Sequence, residues 1–159
     1  ATDENAIAAG CELLRDFHWR QGRTDEAHAW HARLQEHQRV SAEATEERSL
    51  VRLNDTFLPH GLPAEVLATL RRELAAVPDL RRAWLMRKQV RHQPERPCYV
   101  LGYSATGWLE STRKRKRDAV LQRLRDTVRF PGETLLVGVD GEFYRFRRKF
   151  RWMRGARVR

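Results

Sequence analysis

RAWLMRKQVRHQPERPCYVLGYSA, residues 82 to 105, brings two apolar runs of strand length together across a single loop, and its reading decides the fold. In the first run Trp84, Met86 and Val90 alternate with Leu85, Arg87 and Gln89, the two-residue period of a strand. Cys98 to Leu101 is unbroken apolar sequence, which predicts a strand covered on both faces and so central in its sheet. Pro94 and Pro97 fall in the connection, where a missing N–H does no harm; Pro97 can begin the second strand but cannot lie inside it.

Toward the C-terminus, Val120, Leu121, Leu124 and Val128 recur at helical spacing. They predict a helix after Gly107, capped by Ser111 or Thr112, that runs to about Arg129 and is stopped by Phe130-Pro131-Gly132. TLLVGV, residues 134 to 139, reads as a third buried strand. The last twenty residues carry two signals. Asp140-Gly141 after a strand marks a hairpin turn, whereas Phe143, Phe146, Phe150 and Met153 fall at helical spacing. The helix is preferred, because a strand would set Arg148 on one face with Tyr144, Phe146 and Phe150. Gly155 then closes the helix, and Ala156 to Val158 remain for a short edge strand.

Toward the N-terminus, Leu67, Leu70, Leu74 and Val77 form a helical stripe that opens on Pro63 and stops at Pro78. Residues 54 to 62 read as a linker by composition, and 63 to 159 as an α+β domain. Upstream, Ile7, Cys11, Leu14 and His18 mark one helix that Gly22 ends. Thr24 caps the next, with Asp25 and Glu26 in its first turn and Ala27, Trp30, His31 and Leu34 on its inner stripe, and it continues to about Leu53. The fold class is thus α+β: a helical hairpin over 1 to 53, then a small mixed sheet of three or four strands packed with helices. AGCELLRDFHWRQGRTDEAHAWHARL, residues 9 to 34, resembles one tetratricopeptide repeat, with Leu14, Gly22, Ala27 and His31 near that repeat's small and aromatic positions. A single repeat cannot bury its own faces, so the resemblance implies further repeats upstream, and Ala1 is the expected start of a piece cut from a longer protein.

Composition bounds the function. Two cysteines, Cys11 and Cys98, make no disulfide framework in a chain of 159 residues and fit a reducing compartment. No run approaches the roughly 18 apolar residues of a membrane span, and no signal-peptide pattern opens the chain. The net charge is +10, but arginine outnumbers lysine 27 to 4, a skew that GC-rich coding also produces. Residues 1 to 60 hold seven Arg against eleven acids, a net of −4; residues 61 to 159 hold 24 basic residues against ten acids, a net of +14. The two parts read as different modules.

Candidate chemistry is sparse. His28 and His31 lie three apart on one helix with Glu36 and His37 beyond, a spacing that supplies two ligands only, and no H-E-x-x-H, C-x-x-C or nucleotide-binding glycine loop occurs. Ser104 and Ser111 have no evident His and Asp partners, and His92 reads as a surface residue of the hairpin loop. The expectation is therefore no catalytic, metal-binding or cofactor-binding residue. Basic residues form two clusters that make a candidate surface for a partner or an anion. One comprises Arg113, Lys114, Arg115, Lys116 and Arg117; the other runs through Arg145, Arg147, Arg148, Lys149, Arg151, Arg154, Arg157 and Arg159, with Arg145, Arg148, Lys149 and Arg151 as its candidate site residues, and is interleaved with Tyr144, Phe146, Phe150 and Trp152. Aromatics between cations can stack on bases, which gives an RNA- or DNA-binding reading; the alternative is that the aromatics are a buried stripe and the arginines its solvated face.

Phe57, Pro59, His60 and Leu62, then RAWLMRK at 82 to 88, PERPCYVLG at 94 to 102, FPGET at 130 to 134, and Lys149 with GAR at 155 to 157 carry a second resemblance. From Leu53 onward the chain resembles the C-terminal tail of bacterial zinc metallopeptidases related to the CAAX prenyl protease and HtpX. The resemblance implies a non-catalytic interaction or regulatory module. Its partners would be the upstream peptidase and repeat region of the same polypeptide and a protein or peptide segment. Zinc would be bound only by that parent enzyme, and the location would be cytoplasmic, open to tethering at the inner membrane through the upstream part. None of that family's zinc ligands can be placed on these residues. A free-standing basic module that binds RNA or DNA is the alternative.

Overall fold

The computed structural model describes residues 4–107, 110–140 and 143–159. Ala1, residues 108–109, the Gly141 half of the turn signal and the side chain of Ser111 lie outside the described set. The chain divides into two compact units, Ala1–Glu47 and Arg48–Arg159.

The first unit is a helical hairpin of α1 (Glu4–Arg20) and most of α2 (Thr24–Ser49). Gly22 makes the turn with φ 70°, a left-handed conformation that costs glycine nothing, while the Gly22 and Arg23 amides bond back to the carbonyls of Trp19 and His18. Cys11, Ala27 and Leu34 are buried, whereas Ile7 and Leu14 are exposed. His31 is exposed as well, so the inner stripe of α2 is narrower than the spacing suggested. The second helix ends at Ser49 instead of Leu53, because residues 50–55 are drawn into the second unit by bonds described below.

The second unit is a four-stranded mixed sheet between two helical layers. Its elements in order are β1 (Phe57–Pro59), α3 (Ala64–Ala76), β2 (Leu80–Lys88), β3 (Cys98–Ala105), α4 (Glu110–Thr127), β4 (Glu133–Gly138) and α5 (Tyr144–Arg151). The strand order is β1-β2-β3-β4, antiparallel at the first two pairings and parallel at the third. β3 is central and every residue in it is buried, as its unbroken apolar run predicted. Its odd-numbered side chains Tyr99, Leu101 and Tyr103 join Leu85 against Leu70 and Leu74 of α3 and Val120 and Leu124 of α4. On the opposite face Val100 joins Trp84 and Met86 against Phe146 and Phe150 of α5. Burial pushes the Tyr103 phenol up to about 12.

Two features of the sheet differ from the expectation. β1 lies inside the stretch read as linker; three residues ending in proline are too short to show a period, and Pro59 is tolerated because this strand lies at the sheet edge. The C-terminal residues make an isolated bridge between Arg157 and Trp84 instead of a strand. Around it the Leu85 N–H donates to the Ala156 carbonyl at 2.7 Å and the Val158 N–H to the Ala83 carbonyl at 2.9 Å, continuing the edge that β1 begins. α4 starts at Glu110, ahead of both proposed caps.

Packing between sheet and α5 depends on Gly102. A Cβ there would stand 2.5 Å from the Phe150 ring, so the aromatic lies directly on the strand backbone. Gly102→Ala should therefore lower stability by roughly 1–3 kcal/mol in urea denaturation, through forced displacement of a fully buried ring. Partial recovery in the double variant with Phe150→Leu would confirm the cause, and an alanine variant as stable as the parent would refute it.

Candidate functional site

Within the second unit, three cations bind residues 48–55 to the rest of it. Arg48, 6% exposed, donates from Nη1 to Glu133 Oε2 at 2.8 Å, and from Nη2 to the carbonyls of Gln93, Arg96 and His92 at 2.6, 2.8 and 3.3 Å. Its guanidinium fork thus joins the end of α2, the β2–β3 loop and the first residue of β4. Lys88 is buried in β2, pairs with Asp55 at 2.9 Å and donates to the Leu50 carbonyl at 2.7 Å. Lys149 of α5 donates to the carbonyls of Leu53, at 2.9 Å, and Asp55, with its ammonium over the Phe57 ring.

A cleft of about 1440 Å³ runs along β4. On one side it is walled by α4, through Arg113, Lys114, Arg117, Leu121 and Arg125; on the other stand Leu50, Val51 and Phe143. The two walls belong to opposite faces of the sheet, since α4 packs with the Leu70–Leu124 core and Val51 with the Trp84–Phe150 core. Leu50 and Phe143 are 47% and 48% exposed, so apolar surface is offered to whatever enters. At the end of the cleft Arg117 lies across Gly138, whose missing side chain leaves it room, and donates to the Asp140 carbonyl; Asp140 Oδ2 in turn accepts from the Ala105 amide at 2.9 Å.

The nine basic residues singled out from sequence do not form one surface. The Arg113–Arg117 run is on α4 and the others are on α5, on opposite faces of the sheet. Arg113 bonds to the Gly107 carbonyl, and Lys116 to Asp79 at 2.7 Å. That bond, with one from the Thr106 hydroxyl, holds the Asp79 carboxyl below the usual range. Arg117 and Lys149 serve the fold through the carbonyls above. Lys114, Arg115, Arg145, Arg148 and Arg151 are exposed. Phe146 and Phe150 are buried, but Tyr144 and Trp152 are 62% and 80% exposed, so the interleaved aromatics divide between core and surface. Sequence reasoning missed that Arg81 and Arg82 of β2 join the second cluster: burial and then the positive charges of Arg81, Arg147, Arg157 and Arg151 lower the pKa of Arg82.

His28 stacks edge-on against Trp19, and among the described residues no three His, Cys, Asp or Glu side chains are grouped to hold a metal ion. Ser104 is buried, and the His92 carbonyl accepts from Arg48. No helix among the described residues is long and apolar enough to cross a membrane. Comparisons with models of protein families, with curated proteins and with solved structures find no match.

Arg48→Met should cost roughly 2–4 kcal/mol in urea denaturation, because converging acceptors lose their donor together. Arg48→Lys should recover only part of that, since an ammonium cannot span the fork. A methionine variant within about 0.5 kcal/mol of the parent would show that the clamp is not structural.

Proposed function

We propose that the protein is a non-catalytic interaction module whose working surface is the cleft along β4. The observation that carries this reading is the composition of the walls: exposed Lys114 and Arg125 on one side, half-exposed Leu50 and Phe143 on the other. Such a surface suits a protein segment with acidic and apolar groups. Together with the resemblance of PERPCYVLG and FPGET, it supports a C-terminal accessory region of a bacterial zinc metallopeptidase. In that role the module handles substrate or contacts the peptidase region, zinc belongs to the parent enzyme's catalytic domain, and the location is cytoplasmic. The tetratricopeptide-like reading of α1 and α2 belongs to the same proposal. An upstream reading frame encoding an H-E-x-x-H helix followed by helical repeats would support this assignment, and an initiator methionine directly before Ala1 would sink it.

A second reading rests on a separate observation. Trp152 and Tyr144 project beside Arg145, Arg148 and Arg151, and Arg82, Arg147, Arg151 and Arg157 crowd like charges together, an arrangement that favours a polyanion with stacking bases.

One experiment separates the two. Binding of poly-L-glutamate and of a single-stranded RNA is compared at about 0.15 M salt, where exposed charges more than a Debye length apart are largely screened. The cleft reading predicts that polyglutamate binds, that Lys114→Glu with Arg125→Glu weakens it about tenfold or more, and that Arg148→Glu with Arg151→Glu leaves it unchanged. RNA binding at this salt that is lost in the α5 variant, with polyglutamate ignored, would put the second reading in its place.

A further inference from the structure

Among the described residues β4 has a single partner strand, and the alternation of its backbone fixes which of its groups face the other side. The Val139 N–H donates to the Tyr103 carbonyl at 2.9 Å, with Gly138 in register with Tyr103. In a parallel ladder this sets the N–H and C=O groups of odd-numbered β4 residues toward β3. Those of Thr134, Leu136 and Gly138 therefore point away, along an edge that no strand covers among the described residues. Between Thr134 and Gly138 that edge carries no charge and no proline, the usual devices that keep edges from pairing. It opens into the cleft described above, whose volume of about 1440 Å³ exceeds the roughly 300–1,000 Å³ of small-molecule pockets.

Charge decides between the occupants. Antiparallel pairing of two copies about a twofold axis normal to the sheet would place both α4 helices on one side of the join, and Lys114 and Arg125 of each copy would meet the same cations of the other. An acidic strand has the opposite preference. Its side chains alternate, so those on one side would meet the basic wall of α4 and those on the other would meet Leu50, Val51 and Phe143.

We infer that the open edge of β4 takes up an extended peptide segment by strand addition, and that the segment alternates acidic with apolar side chains. The inference rests on the cleft being the working surface and adds the binding mode and the sequence pattern of the partner.

The probe is an eight-residue peptide alternating glutamate and valine, titrated calorimetrically into the full chain. Two companions carry N-methyl groups, one on every glutamate and one on every valine. In strand addition one set of peptide amides faces β4 and the other faces away, so one methylated peptide should bind at least about tenfold more weakly and the other like the parent. Replacing glutamate by lysine should abolish binding. Thr134→Pro removes an outward N–H and leaves the β3 ladder intact, and should weaken the parent peptide about tenfold; if that variant fails to fold, the methylated peptides decide on the native protein. Equal binding of both methylated peptides overturns strand addition while leaving the cleft reading in place, as does polyglutamate binding without binding of the octapeptide. A dimer in sedimentation that Thr134→Pro converts to monomer overturns it in favour of a second copy.

Discussion

A buried guanidinium holds three separate pieces of this chain at one point. Arg48 is the first residue of the second unit, and its fork reaches Glu133 at the start of β4 and three carbonyls of the β2–β3 loop. A buried cation is tolerable only when paired and multiply bonded, which is why the loop turns its carbonyls inward, with Gln93 at φ 53°. Once Arg48 is fixed, Leu50 and Val51 must leave the end of α2 beside β4, where they become the apolar wall of the cleft. Lys88 and Lys149 complete the arrangement by donating to the next carbonyls in line as far as Asp55, from which β1 follows.

The sheet is finished on one side and open on the other. At the β2 edge the unit supplies β1 and then Ala156 to Val158, two short and unrelated segments that between them cover most of the strand. At the β4 edge it supplies nothing among the described residues, although α4 and the 49–51 segment rise on either side. The parallel pairing of β3 and β4 follows from α4 as their crossover, and it sets the basic run of α4 against one face of the edge. Leu135 and Val137 pack toward α5 and Leu136 toward α4, so both faces of β4 are held in place while no strand among the described residues pairs with its outer backbone.

Most of the architecture was legible because the residues that form it repeat at a period. The central position of β3 followed from Cys98 to Leu101, and α5 from Phe146 and Phe150, both of which are buried. β1 was not legible, since Phe57 to Pro59 has no room for a period and forms a strand only because β2 offers an edge. The site was less legible than the fold. Arg48, Lys88 and Lys149 are ordinary basic residues in sequence, and only contacts separated by dozens of positions reveal that they bind the chain together. Lys149 was singled out as a surface cation for the charge it carries and proves to be bonded to two carbonyls. Conversely the cleft could not be read in advance, because an edge strand and a central strand of the same apolar composition look alike until the pairing order is known.

The openness of the β4 edge is tested most directly by amide hydrogen exchange resolved by residue. The inward amides of Leu135, Val137 and Val139 should exchange only through large openings of the sheet, whereas those of Thr134, Leu136 and Gly138 should exchange orders of magnitude faster. That alternating pattern is the expected result. Uniform protection along all six amides would mean that the edge is already paired in the free protein, and would contradict the account of the cleft as a binding surface.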